Sequence, residues 1–118
     1  MRNEESKLQQ SCITWFRLQY PLLSKLLFAV PNGSRRDVVT GAILKREGVV
    51  AGVADLILLI PKKGYASLCI EMKYGGNGQS ESQKEWQRLA EAAGNKYVLC
   101  RSLEEFVRAV RHYLDKTR

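Results

Sequence analysis

Apolar residues near the start of the chain fall at Leu8, Cys12, Trp15 and Phe16, on one helical face, and the pattern stops before Pro21. It predicts a helix over roughly Glu4 to Gln19, on which Glu5 and Gln9 stand four apart and share a face. Leu26 to Val30 then reads as a short strand, closed by the turn signal Pro31-Asn32-Gly33. Ser34 is placed to cap a further helix reaching about Glu47, with Asp37 as the residue three places on and Gly48 as its stop; Gly41 weakens the middle of that helix.

The next two apolar runs, Leu56 to Ile60 and Ala66 to Ile70, flank Pro61-Lys62-Lys63-Gly64, the pattern of an antiparallel hairpin. Counting outward from a turn flanked by Ile60 and either Tyr65 or Ala66 brings Asp55 opposite Ile70 or Glu71. Side chains alternate between faces along a strand, so only the second register puts both carboxylates on one face.

Tyr74-Gly75-Gly76-Asn77-Gly78-Gln79 reads as a flexible loop next to these acids. It lacks the Gly-Lys-Ser/Thr ending of a phosphate-binding loop. Ser80 with Gln83, and Ser82 with Glu85, offer overlapping capping boxes for a helix whose Trp86, Leu89, Ala90 and Ala93 form an apolar face, ended by Gly94. Tyr97 to Cys100 follows as a strand. Ser102 with Glu105 then opens a last helix bearing Phe106, Val107, Val110 and Leu114. A hairpin followed by helix and strand implies an α/β fold with a mixed sheet covered by helices, because parallel pairing needs a long crossover. At 118 residues, 1–118 is expected to form a single domain with one core.

The formal charge of +7 points to a polyanionic partner, nucleic acid ahead of a membrane surface. Arg35-Arg36, Lys45-Arg46 and Lys62-Lys63 all fall in or beside turns, where they could reach a phosphate backbone. Cys12, Cys69 and Cys100 are odd in number and too widely spaced for a metal knuckle, so they read as reduced core residues. His112 lies alone in the terminal helix, which argues against a zinc site or a histidine-based triad. There is no signal-peptide pattern and no apolar run of membrane-spanning length, so a cytoplasmic location is expected.

Candidate chemistry centres on Ile70-Glu71-Met72-Lys73. Acid-x-Lys on a strand puts a carboxylate and an ammonium on the same face. Asp55 supplies a second carboxylate, and both acids end segments apolar enough to be buried, where charge must be paired or bound to metal. Hard oxygen ligands of this kind suit magnesium or manganese. The competing readings are a surface salt-bridge network with Asp55 capping a strand end, and a nucleic-acid-binding module without catalysis.

In order and spacing, Glu5-x-x-x-Gln9, Asn32-Gly33, Gly52-x-x-Asp55, Glu71-x-Lys73 and Gln83-x-x-Trp86 resemble the VRR-NUC branch of the PD-(D/E)xK nuclease superfamily, in its small standalone form from phages and bacteria. The resemblance runs from about residue 4 to 107. It implies a restriction-endonuclease-like core and hydrolysis of DNA phosphodiester bonds with Mg2+ or Mn2+. Asp55, Glu71 and the Met72 backbone carbonyl would ligand the metal. Lys73 would position the attacking water or stabilise charge on the phosphate, Glu5 would contact the metal through water, and Gln83 would orient the nucleophile or the backbone. It further implies branched or Holliday-junction DNA as a substrate and a homodimer, since symmetric cutting of two strands calls for two-fold symmetry. No small-molecule cofactor is expected. The family often has proline immediately before the aspartate, where this chain has Ala54; proline fixes φ but supplies no ligand, so the ligand set is unaffected.

Overall fold

A computed structural model describes residues 2–31 and 38–115 of the chain. Helix α1 covers Arg2–Gln19 and ends where Tyr20-Pro21 turns the chain into a short 3-10 helix, Pro21–Leu26. Strand β1 (Leu27–Ala29), helix α2 (Val38–Arg46), strands β2 (Leu56–Leu58) and β3 (Leu68–Met72), helix α3 (Glu81–Ala92), strand β4 (Lys96–Cys100) and helix α4 (Leu103–Leu114) follow. The 3-10 helix was not anticipated: Pro21 at its first position favours a helical turn, whereas the apolar spacing there carries no period. The Asn32-Gly33 turn, the Ser34 cap and Asp37 lie outside the described residues.

The four strands form one sheet in the order β1-β2-β3-β4. β2 is antiparallel to both β1 and β3, while β4, reached through α3, is parallel to β3. The sheet is therefore mixed and flanked by helices, as expected, and β3 is buried along its whole length.

Side-chain alternation divides the core in two. Leu56, Leu58, Leu68, Ile70, Met72 and Cys100 face α1 and α4, where they meet Cys12, Phe16, Phe106, Val110 and Tyr113. Cys69 and Tyr97 point the other way, toward Ala54 and the Trp86 ring of α3. All three cysteines are free and buried. On α3 the expected apolar face is narrower than its sequence suggests: Ala90 is buried and Trp86 half-buried, but Leu89 is 50% exposed and Ala93 is exposed. α3 touches the sheet along one stripe, and Leu89 falls beside it.

The hairpin between β2 and β3 changes register on its way out from the turn. Lys62 and Tyr65 pair around Lys63-Gly64, whose φ angles of 52° and 86° are those of a tight two-residue hairpin loop. Carried outward unchanged, that pairing would set Leu56 opposite Glu71. The observed partners are Leu58↔Leu68 and Leu56↔Ile70, so one extra residue is taken up between Leu58 and Lys62. The Ile60 N–H closes back onto the Leu58 carbonyl at 3.0 Å, and Leu59 is left exposed, which marks the bulge. The buried Tyr113 hydroxyl satisfies the Ile60 carbonyl at 2.6 Å.

Candidate active site

Extending the pairing Leu56↔Ile70 by one residue sets Asp55 opposite Glu71. Of the two registers considered from the sequence, this is the one that brings the carboxylates to a common face. That face is the α3 side, at the end of the sheet where β2 begins and β3 finishes. The Met72 N–H donates to Asp55 Oδ2 at 2.7 Å. In an extended strand a residue's N–H and C=O leave by the same edge, so the Met72 carbonyl also faces the edge on which Asp55 lies.

Glu71 is 1% exposed and fully engaged. Gln83 Nε2 donates to its Oε2 at 2.8 Å, the Tyr97 hydroxyl donates to its Oε1 at 3.2 Å, and the Lys73 ammonium lies 3.9 Å from Oε2. Gln83 reaches it because α3 begins with a complete capping box: the Ser80 hydroxyl accepts from the Gln83 N–H, and Gln83 Oε1 accepts from the Ser80 N–H. The loop entering β2 is held against the same helix start. Gly52 has φ +87°, and a Cβ there would lie 2.3 Å from the Ser82 carbonyl oxygen.

Burial and then the Asp55 charge push the Glu71 carboxyl up to about 8, against the opposing pull of Lys73. Asp55 is also raised, first by burial and further by Glu5; its bonds with the Met72 N–H and with Glu71 act in the other direction. The contact between the two acids acts oppositely on them, raising Glu71 and lowering Asp55. Two carboxyls placed this way have the chemistry to accept a cation.

Among the described residues no group of three or more His, Cys, Asp or Glu side chains could hold a metal. Asp55, Glu71 and the Met72 carbonyl nevertheless make a compact set of hard oxygen donors. Magnesium-type ions are often bound by one or two carboxylates with water and phosphate oxygens completing the shell, so these donors fit such an ion.

The residues expected at the site from the sequence divide in two. Asp55, Glu71, Lys73 and Gln83 come together, and Glu5 is near enough for its charge to act on Asp55. Glu5 also lines a recess of about 330 Å³ with Asn3, Ser6 and Gln9. The basic pairs do not gather there. Arg35 and Arg36 lie outside the described residues. Lys45 and Arg46 are exposed in the last turn of α2. Lys62 and Lys63 occupy the hairpin loop at the opposite end of β2 and β3, and the Lys63 ammonium is bound to the C-terminal carbonyls of α4, on His112, on Tyr113 at 3.4 Å and on Asp115 at 2.9 Å. Sequence reading missed Tyr97 as a partner of Glu71, and Gln79, which donates to the Tyr97 hydroxyl at 3.1 Å. Alternation along β4 puts Tyr97 on one face, but which residue of β3 it would meet depends on a parallel register that no local pattern encodes.

Among the described residues no helix is long and apolar enough to cross a membrane. No family model matches the chain. No curated protein matches it in sequence. Among solved structures it is similar to one described as a VRR_NUC domain protein, with a TM-score of 0.80 and 26% identity over 93% of this chain and 87% of that one. The likeness spans nearly the whole chain, agrees with the family resemblance carried by Asp55, Glu71, Lys73 and Gln83, and supports a nuclease-type domain with the VRR-NUC fold.

Proposed function

We propose that the chain is a divalent-cation-dependent DNA endonuclease in which Asp55, Glu71 and the Met72 carbonyl hold Mg2+ or Mn2+. The observation that carries this reading is the convergence of the half-buried Asp55 and the buried Glu71 on one face, with the Lys73 ammonium beside them. A bound divalent cation supplies polarisation of the scissile phosphate and a lowered pKa for an attacking water. Lys73 places its positive charge where the phosphate gains negative charge during attack, or holds the water in line. Gln83 keeps Glu71 oriented through its bond to Oε2. Glu5, at the rim, orders water toward Asp55. Lys45 and Arg46, with Arg35 and Arg36, supply phosphate contacts.

Branched DNA is the proposed preferred substrate and a two-fold homodimer the proposed working form. Both rest on the family resemblance and on the symmetry needed to cut two strands alike.

The test is cleavage of a labelled four-way junction beside duplex and flap controls of the same sequence, with magnesium, manganese or chelator, for wild type and Lys73→Ala. Metal-dependent cutting lost in the variant supports the reading, and the ranking of substrates decides the branch preference. Binding without cutting under either metal would replace it with a non-catalytic DNA-binding module.

A further inference from the structure

The parallel pairing of β3 and β4 sets Tyr97 beside Cys69, on the same face as Glu71 and one step behind it along the strand. The ring is buried and packs against Trp86 with centroids 6.3 Å apart. Its hydroxyl does more than fill space. A phenol has one proton to give. Gln79 Nε2 donates to the Tyr97 oxygen at 3.1 Å, so the proton is free to point at Glu71 Oε1, 3.2 Å away. The Gln79 amide is itself oriented, because its Nε2 also donates to Gln87 Oε1 at 2.9 Å. The chain of donors therefore runs in one direction, from Gln79 through Tyr97 to Glu71. Gln83 meets the other Glu71 oxygen at 2.8 Å. Both carboxylate oxygens thus receive a donor, and the group cannot rotate about its last torsion without breaking one of them.

We propose that Tyr97 is a positioning residue for Glu71: with Gln79 behind it, its hydroxyl works with Gln83 to fix the plane of the carboxylate so that the lone pairs left over face the space shared with Asp55. The inference rests on the metal-dependent nuclease reading above and adds an outer partner of the kind that tunes metal ligands. Gln79 closes the segment 74–79, so the orientation of Glu71 is tied to the placement of that loop. Arg101 fastens the loop at two further points, donating to the Gly75 and Asn77 carbonyls at 2.9 and 2.7 Å.

Tyr97→Phe keeps the ring and removes the hydroxyl, and Gln79→Ala removes the donor behind it. Mn2+ affinity is measured by calorimetric titration without DNA, and single-turnover cleavage is followed across Mn2+ concentrations. Tyr97→Phe is expected to weaken Mn2+ binding by about 10- to 100-fold, with most of the cleavage rate recovered at saturating Mn2+. Gln79→Ala is expected to give a smaller loss, and the double variant no more than Tyr97→Phe alone, because the two act in series. Wild-type Mn2+ affinity in Tyr97→Phe, or additive losses in the double variant, would overturn this inference while leaving the nuclease reading intact. A wild-type protein that neither binds Mn2+ nor cuts would overturn both.

Discussion

Gln83 joins the start of α3 to Glu71 with a single amide: its Oε1 accepts from the Ser80 N–H at 2.9 Å while its Nε2 donates to Glu71 Oε2 at 2.8 Å. Helix capping and site geometry are thereby coupled, and two substitutions separate them. Gln83→Glu retains the capping-box acceptor but replaces the donor to Glu71 with another acid. Melting followed by circular dichroism should show the helix intact, while cleavage falls by roughly 10- to 100-fold, as for a lost partner of a metal ligand. Gln83→Ala should lose both, with a stability cost of about 1 kcal/mol for the cap. Equal cleavage in Gln83→Glu and wild type would detach Gln83 from the site.

The paired acids make the metal-free protein sensitive to base. Glu71 is raised to about 8 and Asp55 is raised as well, so each binds its proton more tightly folded than unfolded. Their contribution is complete below the ordinary carboxylate range and disappears as pH rises through about 8. Thermal melts in chelator should therefore fall between about pH 5 and pH 8.5, and Asp55→Asn should flatten that slope. Added Mn2+ should raise the melting temperature more at the upper end, because it competes with the proton for the same oxygens. A flat profile in chelator would contradict this account.

Gly52 sets the distance between the loop entering β2 and α3. Gly52→Ala would place a methyl group 2.3 Å from the Ser82 carbonyl oxygen at a φ of +87°. Neither backbone can yield cheaply, so denaturant unfolding should show a loss above about 2 kcal/mol. Cleavage should fall as well, since the displaced loop leads directly into Asp55. Full stability in this variant would mean that the loop can move away from α3 without cost.

Lys63 and the pair Lys45-Arg46 should behave differently despite their shared charge. Lys63→Ala removes the cation from the C-terminal carbonyls of α4 and should cost about 0.5–1 kcal/mol of stability, with no change in the salt dependence of DNA binding. Replacing Lys45 and Arg46 with alanine should leave stability alone and lower the salt slope by about one for each phosphate no longer neutralised. Binding titrations at several salt concentrations check both, and a reduced slope in Lys63→Ala would return that residue to the DNA-binding surface.

Local periodicity carried much of this architecture. Cys12 and Phe16 in α1, and Phe106, Val110 and Leu114 in α4, are buried as their helical spacing implies, and Ser80 with Gln83 starts α3 as its capping pair implies. The interactions that escaped are those made between distant segments. Lys63 read as a cation free to meet phosphate, yet the carbonyls that bind it belong to a helix end far along the chain. Leu89 read as core because it is apolar, but the width of α3 against the sheet decides its exposure. Tyr97 gained its role from a strand register set across a whole helical crossover. Even the Asp55–Glu71 pairing depends on the bulge at Leu59, whose N–H turns to the Leu26 carbonyl instead of to β3.

That extra residue makes the hairpin depend on parity. Fifteen residues separate Asp55 from Glu71, and because a strand alternates its sides, odd and even counts are different molecules at this position. A one-residue insertion or deletion that the loop cannot absorb turns one acid into the α1–α4 core and leaves the other without its neighbour. A two-residue change lengthens or shortens the arm and keeps both acids on the same side. Related chains should therefore vary in this hairpin in steps of two, or compensate for a single step with the gain or loss of a bulge, whatever side chains they carry there.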